Sequence, residues 1–294
     1  MKKRTAFIGA ILSLIPFGQP LIIKTGAVLS TTGLMISFPE NLYARDASFY
    51  FNRAYKKADK GDYYGAISDY TTAIEINPKD ADAYYNRGHA KSELQDHSGA
   101  ISDYTRAIEI NPNDYQAYYN RGIAKGDLKD HYGSISDFTK AIEINPEYGD
   151  AFHNRGSAKE ALEDFKGALK DYEKAILIDP SSYLSWQGVG KSKDSMGDYY
   201  GAISAYDKSI ELNPNNNVAY YNRGTVKARD LSDYYGGISD FTKAIEINPE
   251  ISDYYYNRGI AKNFIGDVKG ACFDLRKASN MGDEDAVNWI KENC

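Results

Sequence analysis

The phrase Tyr-Tyr-Asn-Arg-Gly occurs at 84–88, 118–122, 220–224 and 255–259, inside a unit that recurs every 34 residues. A fixed period of this size means stacked copies of one small motif, each burying its apolar face only against its neighbours. Aligned on the glycine, seven consecutive units span 47–80, 81–114, 115–148, 149–182, 183–216, 217–251 and 252–283.

Numbering each unit from 1 to 34 shows what its positions do. Position 4 is aromatic throughout, from Tyr50 to Tyr255, and position 24 is Tyr or Phe in all but Leu275. Position 8 is Gly in six units, and positions 20 and 27 hold only Ala, Ser or Gly. Large residues alternating with small ones at helical spacing predict two helices that approach closely and interlock. Position 16 is Asp in every unit, the expected N-cap of the second helix. Asn-Pro or Asp-Pro at 31–32 in six units ends that helix, because the residue before proline is pushed out of the α region.

Aromatic-4, Gly-8, small-20, aromatic-24, Ala-27 and Pro-32 at this period resemble the tetratricopeptide repeat. The resemblance implies an all-α, right-handed α-solenoid of seven helix-turn-helix repeats, with residues 284–294 forming a C-terminal capping helix. Two departures stand out. Position 7, usually Leu in that family, is Arg in six copies, and the sixth repeat is one residue long, so a local kink is expected there.

The arginines have an explanation within the chain. Arg53, Arg87, Arg121, Arg155, Arg223 and Arg258 at position 7 accompany Asp69, Asp103, Asp137, Asp171, Asp240 and Asp274 at position 23. The one repeat without the Arg, at Val189, also lacks the Asp, at Ala205. An ion pair bridging the two helices is therefore expected, and removing one partner of a buried pair costs about 3–5 kcal/mol. The competing reading is a row of arginines that recognises an acidic ligand. The fifth repeat also replaces aromatic–aromatic–Asn by Trp186-Gln187-Gly188 and Ala by Ser209. It reads either as a specialised contact point or as a drifted copy.

Residues 1–44 differ in kind. Met1-Lys2-Lys3-Arg4 precedes the apolar run Ala6–Phe17, a second apolar stretch covers Gly26–Phe38, and Leu42-Tyr43-Ala44 offers a small residue for cleavage. The segment reads as an export signal, or as an uncleaved membrane anchor, with a cytoplasmic protein as the remaining alternative. Export places the chain in a periplasm or equivalent lumen. Only two cysteines are present. If the capping helix packs antiparallel to the helix before it, Cys294 returns close to Cys272, and a bridge there would contribute roughly 3 kcal/mol. Two unrelated thiols are the alternative.

Net charge is −6, and residues 1–45 carry +4, leaving −10 on the remainder. So acidic an array excludes nucleic acid as a partner and is repelled by anionic lipid. Membrane association would run through residues 1–44 alone. The four histidines are scattered, with His97 and His131 a repeat apart at position 17. There is no phosphate-cradling loop, no Cys-x-x-Cys and no nucleophile–base set, so no enzyme, cofactor or metal is expected.

In the resembled family the first helices line a concave groove. Position 5 here holds Phe51, Tyr85, Tyr119, His153, Gln187, Tyr221 and Tyr256, a ladder of flat amphipathic side chains. Such residues offer large contact area with little rotamer entropy to lose. Asn86, Asn120, Asn222 and Asn257 at position 6 match residues that in some family members touch ligand backbone. The two-lysine clamp that holds terminal carboxylates in chaperone-tail binders is missing. The expectation is a non-catalytic protein–protein scaffold binding a partner segment in this groove, as an assembly factor. The alternative is a structural protein that self-associates or braces a membrane complex through the other face.

Overall fold

The computed structural model describes residues 40–294, with side chains from Asp46 onward. The signal or anchor reading of residues 1–44 lies outside them except for residues 40–44, which are helical. Among the described residues there is no strand, and no helix is long and apolar enough to cross a membrane.

Seven hairpins follow one another. They pair α1 (Glu40–Ala58) with α2 (Tyr63–Ile76), α3 (Ala81–Glu93) with α4 (His97–Ile110), and α5 (Tyr115–Asp127) with α6 (His131–Ile144). Next come α7 (Gly149–Ala161) with α8 (Phe165–Ile178), and α9 (Tyr183–Ser195) with α10 (Tyr199–Leu212). The sixth joins α11 (Asn217–Thr225), extended by a π-helical turn (Val226–Asp230), to α12 (Tyr234–Ile247). The seventh pairs α13 (Ser252–Phe264) with α14 (Val268–Asn280), and α15 (Glu284–Asn293) closes the end. Each helix packs on its neighbours in sequence, which makes the molecule an α-solenoid.

Local chemistry repeats from hairpin to hairpin. The turn residue at position 15 takes a left-handed conformation in every copy, as in Gly61 (φ 77°), Gln95 (φ 64°) and Gly197 (φ 81°). The position 16 aspartate then caps the second helix, accepting from the amide of position 19, as Asp96 does from Gly99 at 2.9 Å. Position 19 is Gly in all seven copies because a Cβ there would lie 2.1 Å from the capping carboxylate. The second helix stops where the residue before proline turns extended, as at Asn145 (φ −127°, ψ 91°).

The core is the interlock of positions 8, 20, 24 and 27. Tyr70, Tyr104, Phe138, Tyr172, Tyr206, Phe241 and Leu275 are at most 3% exposed, each lying against the small residues of its own hairpin. A Cβ on Gly122 would sit 2.8 Å from the Phe138 ring, so the aromatic and the glycine require each other.

The extra residue of the sixth repeat is absorbed as the π turn, where the Leu231 amide reaches back to the Val226 carbonyl at 3.2 Å. The bulge pushes Ala228 against the second helix. Position 20, Ala or Ser elsewhere, is Gly237 here, and a Cβ on it would meet Ala228 at 2.8 Å. The insertion and the glycine compensate one another.

The arginines at position 7 face the aspartates at position 23. Arg87 Nη2 lies 2.7 Å from Asp103 Oδ1 while its Nε donates to Oδ2 at 2.9 Å, and Arg53, Arg121, Arg155, Arg223 and Arg258 are bidentate in the same way. The aspartates are almost fully buried, and each guanidinium also stands over the position 4 ring at 5.0–5.7 Å. Two further partners are not evident from the Arg–Asp pattern. Lysine at position 11, present in all seven copies, reaches the same carboxylate in the six that have one, as Lys91 does Asp103 at 2.7 Å. The threonine at position 25 of the preceding hairpin accepts the remaining nitrogen of Arg87, Arg121, Arg155 and Arg258, as Thr71 does from Arg87 at 3.0 Å, and Asp207 takes that place for Arg223. The network therefore ties hairpin to hairpin as well as helix to helix.

Candidate functional site

The face formed by the first helices carries the residues expected to bind a partner. Its ladder is anchored from below. Tyr85 packs on Tyr104, Tyr119 on Phe138, Tyr221 on Phe241, His153 on Tyr172 and Phe51 on Tyr70, with ring centres 5.3–5.9 Å apart. Tyr256 packs into the terminal cluster beside α15.

The position 6 asparagines are committed across the hairpin boundary. Asn120 donates to the Tyr85 hydroxyl at 2.8 Å, Asn154 to Tyr119 at 2.8 Å and Asn257 to Tyr221 at 3.1 Å. Asn86 instead donates to the Asp82 carbonyl at 2.7 Å, and Asn222 lies half-buried at the equivalent place. Burial holds the Tyr85 and Tyr221 hydroxyls above their usual range and pushes Tyr119 up to about 12. These tyrosines are neutral hydrogen-bonding groups, each keeping an O–H to donate.

Above this floor, open clefts recur between successive first helices. One of about 300 Å³ lies between the first two hairpins, lined by Tyr55, Asp59, Tyr70, Tyr85, Asn86 and His89. A second of about 210 Å³ lies between the third and fourth, around Ile123, Asp127, Phe138 and Asn154. A third of about 410 Å³ lies between the sixth and seventh, around Tyr221, Thr225, Arg229, Phe241, Ile260 and Phe264. Positions 9 and 13 form the rims. Position 13 is acidic in the first three hairpins (Asp59, Glu93, Asp127) and becomes Arg229 and Phe264 in the last two. The sequence periodicity does not single out position 13, because it varies between copies where core positions do not.

The middle of the face is built differently. His153 Nδ1 lies 3.1 Å from Ser185 Oγ, which contacts Ser182 Oγ at 2.9 Å, and burial holds His153 below its ordinary value. Ser185 is fully buried, so the pair forms a wall and presents no accessible nucleophile. Glu160 receives the Tyr172 hydroxyl at 3.1 Å and pairs with Lys191 of the next hairpin. Asp194 pairs with Arg229 at 3.0 Å, and burial raises its carboxyl above the usual range.

At the far end, Cys272 and Cys294 form a disulfide with Cα atoms 5.9 Å apart. It ties the last turn of α15 to the first turns of α14.

Sequence models described as Tetratricopeptide repeat match residues 81–114, 103–132, 149–182 and 183–216, and one described as TPR repeat matches 54–95. Among curated proteins, none matches the chain. A solved tetratricopeptide repeat protein from Parabacteroides merdae superposes with a TM-score of 0.66 at 21% identity, over 84% of this chain and 97% of that one. YrrB, described as a TPR protein with an unusual peptide-binding site, gives 0.53 at 27% identity over 61% and 92%. The MamA protein gives 0.55 at 24% identity over 57% and 92%. With the matched segments spanning half of the sequence and the same hairpin repeated seven times along it, the chain belongs to the tetratricopeptide repeat family.

Proposed function

We propose that this protein is a non-catalytic scaffold that binds an extended segment of another protein along its first-helix face and serves as an assembly factor. The observation that carries this reading is the recurrence of open, aromatic-floored clefts one or more repeats apart on a single face. An extended chain can place successive side chains into such clefts while its backbone meets the tyrosine hydroxyls. YrrB, at 27% identity, carries a peptide-binding site by its description, which supports the same use of the face here. The disulfide between Cys272 and Cys294 supports an oxidising, exported compartment for the working protein.

The test uses rim positions, because the ladder tyrosines are half-buried and Tyr85, Tyr119 and Tyr221 are hydrogen-bonded within the fold. Tyr55→Glu, Ile123→Glu and Ile260→Glu should each leave the helix content unchanged and together abolish capture of the native partner in a crosslinking pull-down. Partners that survive all three changes would move the binding site elsewhere. A row of tyrosines on the outer ends of the second helices, Tyr64, Tyr132, Tyr200 and Tyr235, is 73–77% exposed and favours the second reading, self-association. Light scattering separates the two, since binding through the first helices predicts a monomer.

A further inference from the structure

The surface of the last hairpin, which no following repeat covers, departs from the repeat. At positions 22, 25 and 29 the second hairpin carries Ser102, Thr105 and Glu109, and Glu109 neutralises Arg106 at 2.5 Å. The seventh carries Phe273, Arg276 and Asn280 in their place, so Lys277, the counterpart of Arg106, loses its acidic neighbour. Phe273 is 69% exposed and Val268 is 47% exposed, so neither is held there by the core.

These changes coincide with a cleft. Val268, Phe273, Arg276 and Lys277 of α14 form one side, and the end of α15, fastened by the Cys272–Cys294 bridge, forms the other. The space is shallow, open and about 660 Å³. Its lining includes the cations Lys269, Arg276 and Lys277 and no acidic side chain. The side chains of the lining carry a net +3, in a chain whose remainder beyond residue 45 carries −10. Local charge of opposite sign to the molecule, set beside an exposed aromatic, selects a ligand of matching composition.

We propose that this cleft is a second binding site, separate from the first-helix face, and that it takes an acidic peptide segment bearing a large apolar side chain. The apolar side chain lies on Phe273 and Val268, and the carboxylates meet Lys269, Arg276 and Lys277. The disulfide holds the α15 wall in place.

The experiment measures binding of a labelled peptide of glutamates around one phenylalanine to the full chain by fluorescence anisotropy. The variant combines Phe273→Ser with Arg276→Thr, which rebuilds the outer face of the second hairpin and leaves the melting midpoint unchanged. Binding should weaken by about tenfold or more in the variant, the order expected when an anchoring aromatic is removed. It should also weaken steeply with salt, and be unaffected by Tyr55→Glu on the other face. Equal binding by variant and parent would overturn the proposal. So would equal binding of the lysine counterpart peptide, binding of phosphatidylglycerol vesicles in place of the peptide, or a dimer that Phe273→Ser dissolves.

Discussion

The second and fifth hairpins meet one packing problem with opposite chemistry. In the second, Arg87, Asp103, Lys91 and the preceding Thr71 form a charged network beneath the Tyr84 ring. In the fifth, Val189 and Ala205 occupy the same two places and pack with Tyr172 and Ala168 in an apolar cluster. The surrounding residues have changed to suit. Lys193, lacking a carboxylate at position 23, turns to Asp198 at 3.2 Å. Gly188 replaces the usual Asn, and a Cβ there would lie 2.6 Å from the Tyr172 ring. Ser209 donates to the Tyr183 carbonyl at 2.8 Å, and Asn216 donates to Gln187 at 2.8 Å. Random drift would leave unsatisfied groups; here the departures compensate one another, with only Ser192 Oγ left buried and unpartnered in that hairpin among the described residues. The lesson is that the charged network is one of two workable solutions, and that its parts are exchangeable only as a set.

Breaking the set in the charged hairpin gives the largest expected effect. Asp137→Ala leaves Arg121 and Lys125 facing a buried space, and should cost about 3–5 kcal/mol by urea unfolding. Arg121→Val with Asp137→Ala copies the fifth hairpin and should recover most of that loss, the coupling being read from the double-mutant cycle. If the double variant were no more stable than Asp137→Ala, the two solutions would not be interchangeable. The reverse exchange sharpens the point. Val189→Arg alone buries an unpaired guanidinium, and adding Ala205→Asp should restore stability.

A smaller effect is expected where the sixth hairpin carries its extra residue. Gly237→Ala drives a methyl into Ala228 and should cost about 1–3 kcal/mol, as overpacking does. Ala100→Gly at the same position of the second hairpin should cost about 1 kcal/mol through helix propensity and a small void. A Gly237→Ala variant as stable as the parent would show that the π turn relaxes freely.

How much of this was legible in the sequence depends on whether a residue repeats. The hairpin, its aspartate cap, its proline stop and the Arg–Asp pair each recur with the period, so covariation between Val189 and Ala205 was enough to place two helices face to face. Lys91 and its equivalents recur too, yet a lysine on a helix reads as solvated until its partner carboxylate is located. The Asn–Tyr bonds are hidden for the opposite reason. Asn120 and Tyr85 lie in different repeats, and a unit-by-unit reading does not connect position 6 of one copy with position 5 of the one before. The kink expected in the sixth repeat became a π turn because Gly237 leaves room for it. The position 13 rims of the clefts are hardest to see, since Asp59, Arg229 and Phe264 obey no period, and a binding surface selects for difference where a core selects for sameness.

Acid distinguishes the junction between the fourth and fifth hairpins from the charged first hairpin, and the effect is the smallest expected. His153, at the junction leading into the fifth hairpin, is held below its ordinary value by burial, so the fold prefers it neutral. The unfolded chain takes up a proton near pH 6.5, and stability falls as pH drops below that value. Asp69, in the charged first hairpin, is held below the usual carboxylate range chiefly by its hydrogen bond from Arg53. Its contribution is complete above about pH 4 and is lost as pH falls through the depressed value. Two limbs of the same sign are therefore expected in a plot of urea midpoint against pH. His153→Gln should flatten the upper limb alone, and Asp69→Asn should lower the plateau and reduce the lower limb. A single limb near pH 4 in the parent protein would mean that His153 titrates alike in the folded and unfolded chains, and that the junction into the fifth hairpin is open to water.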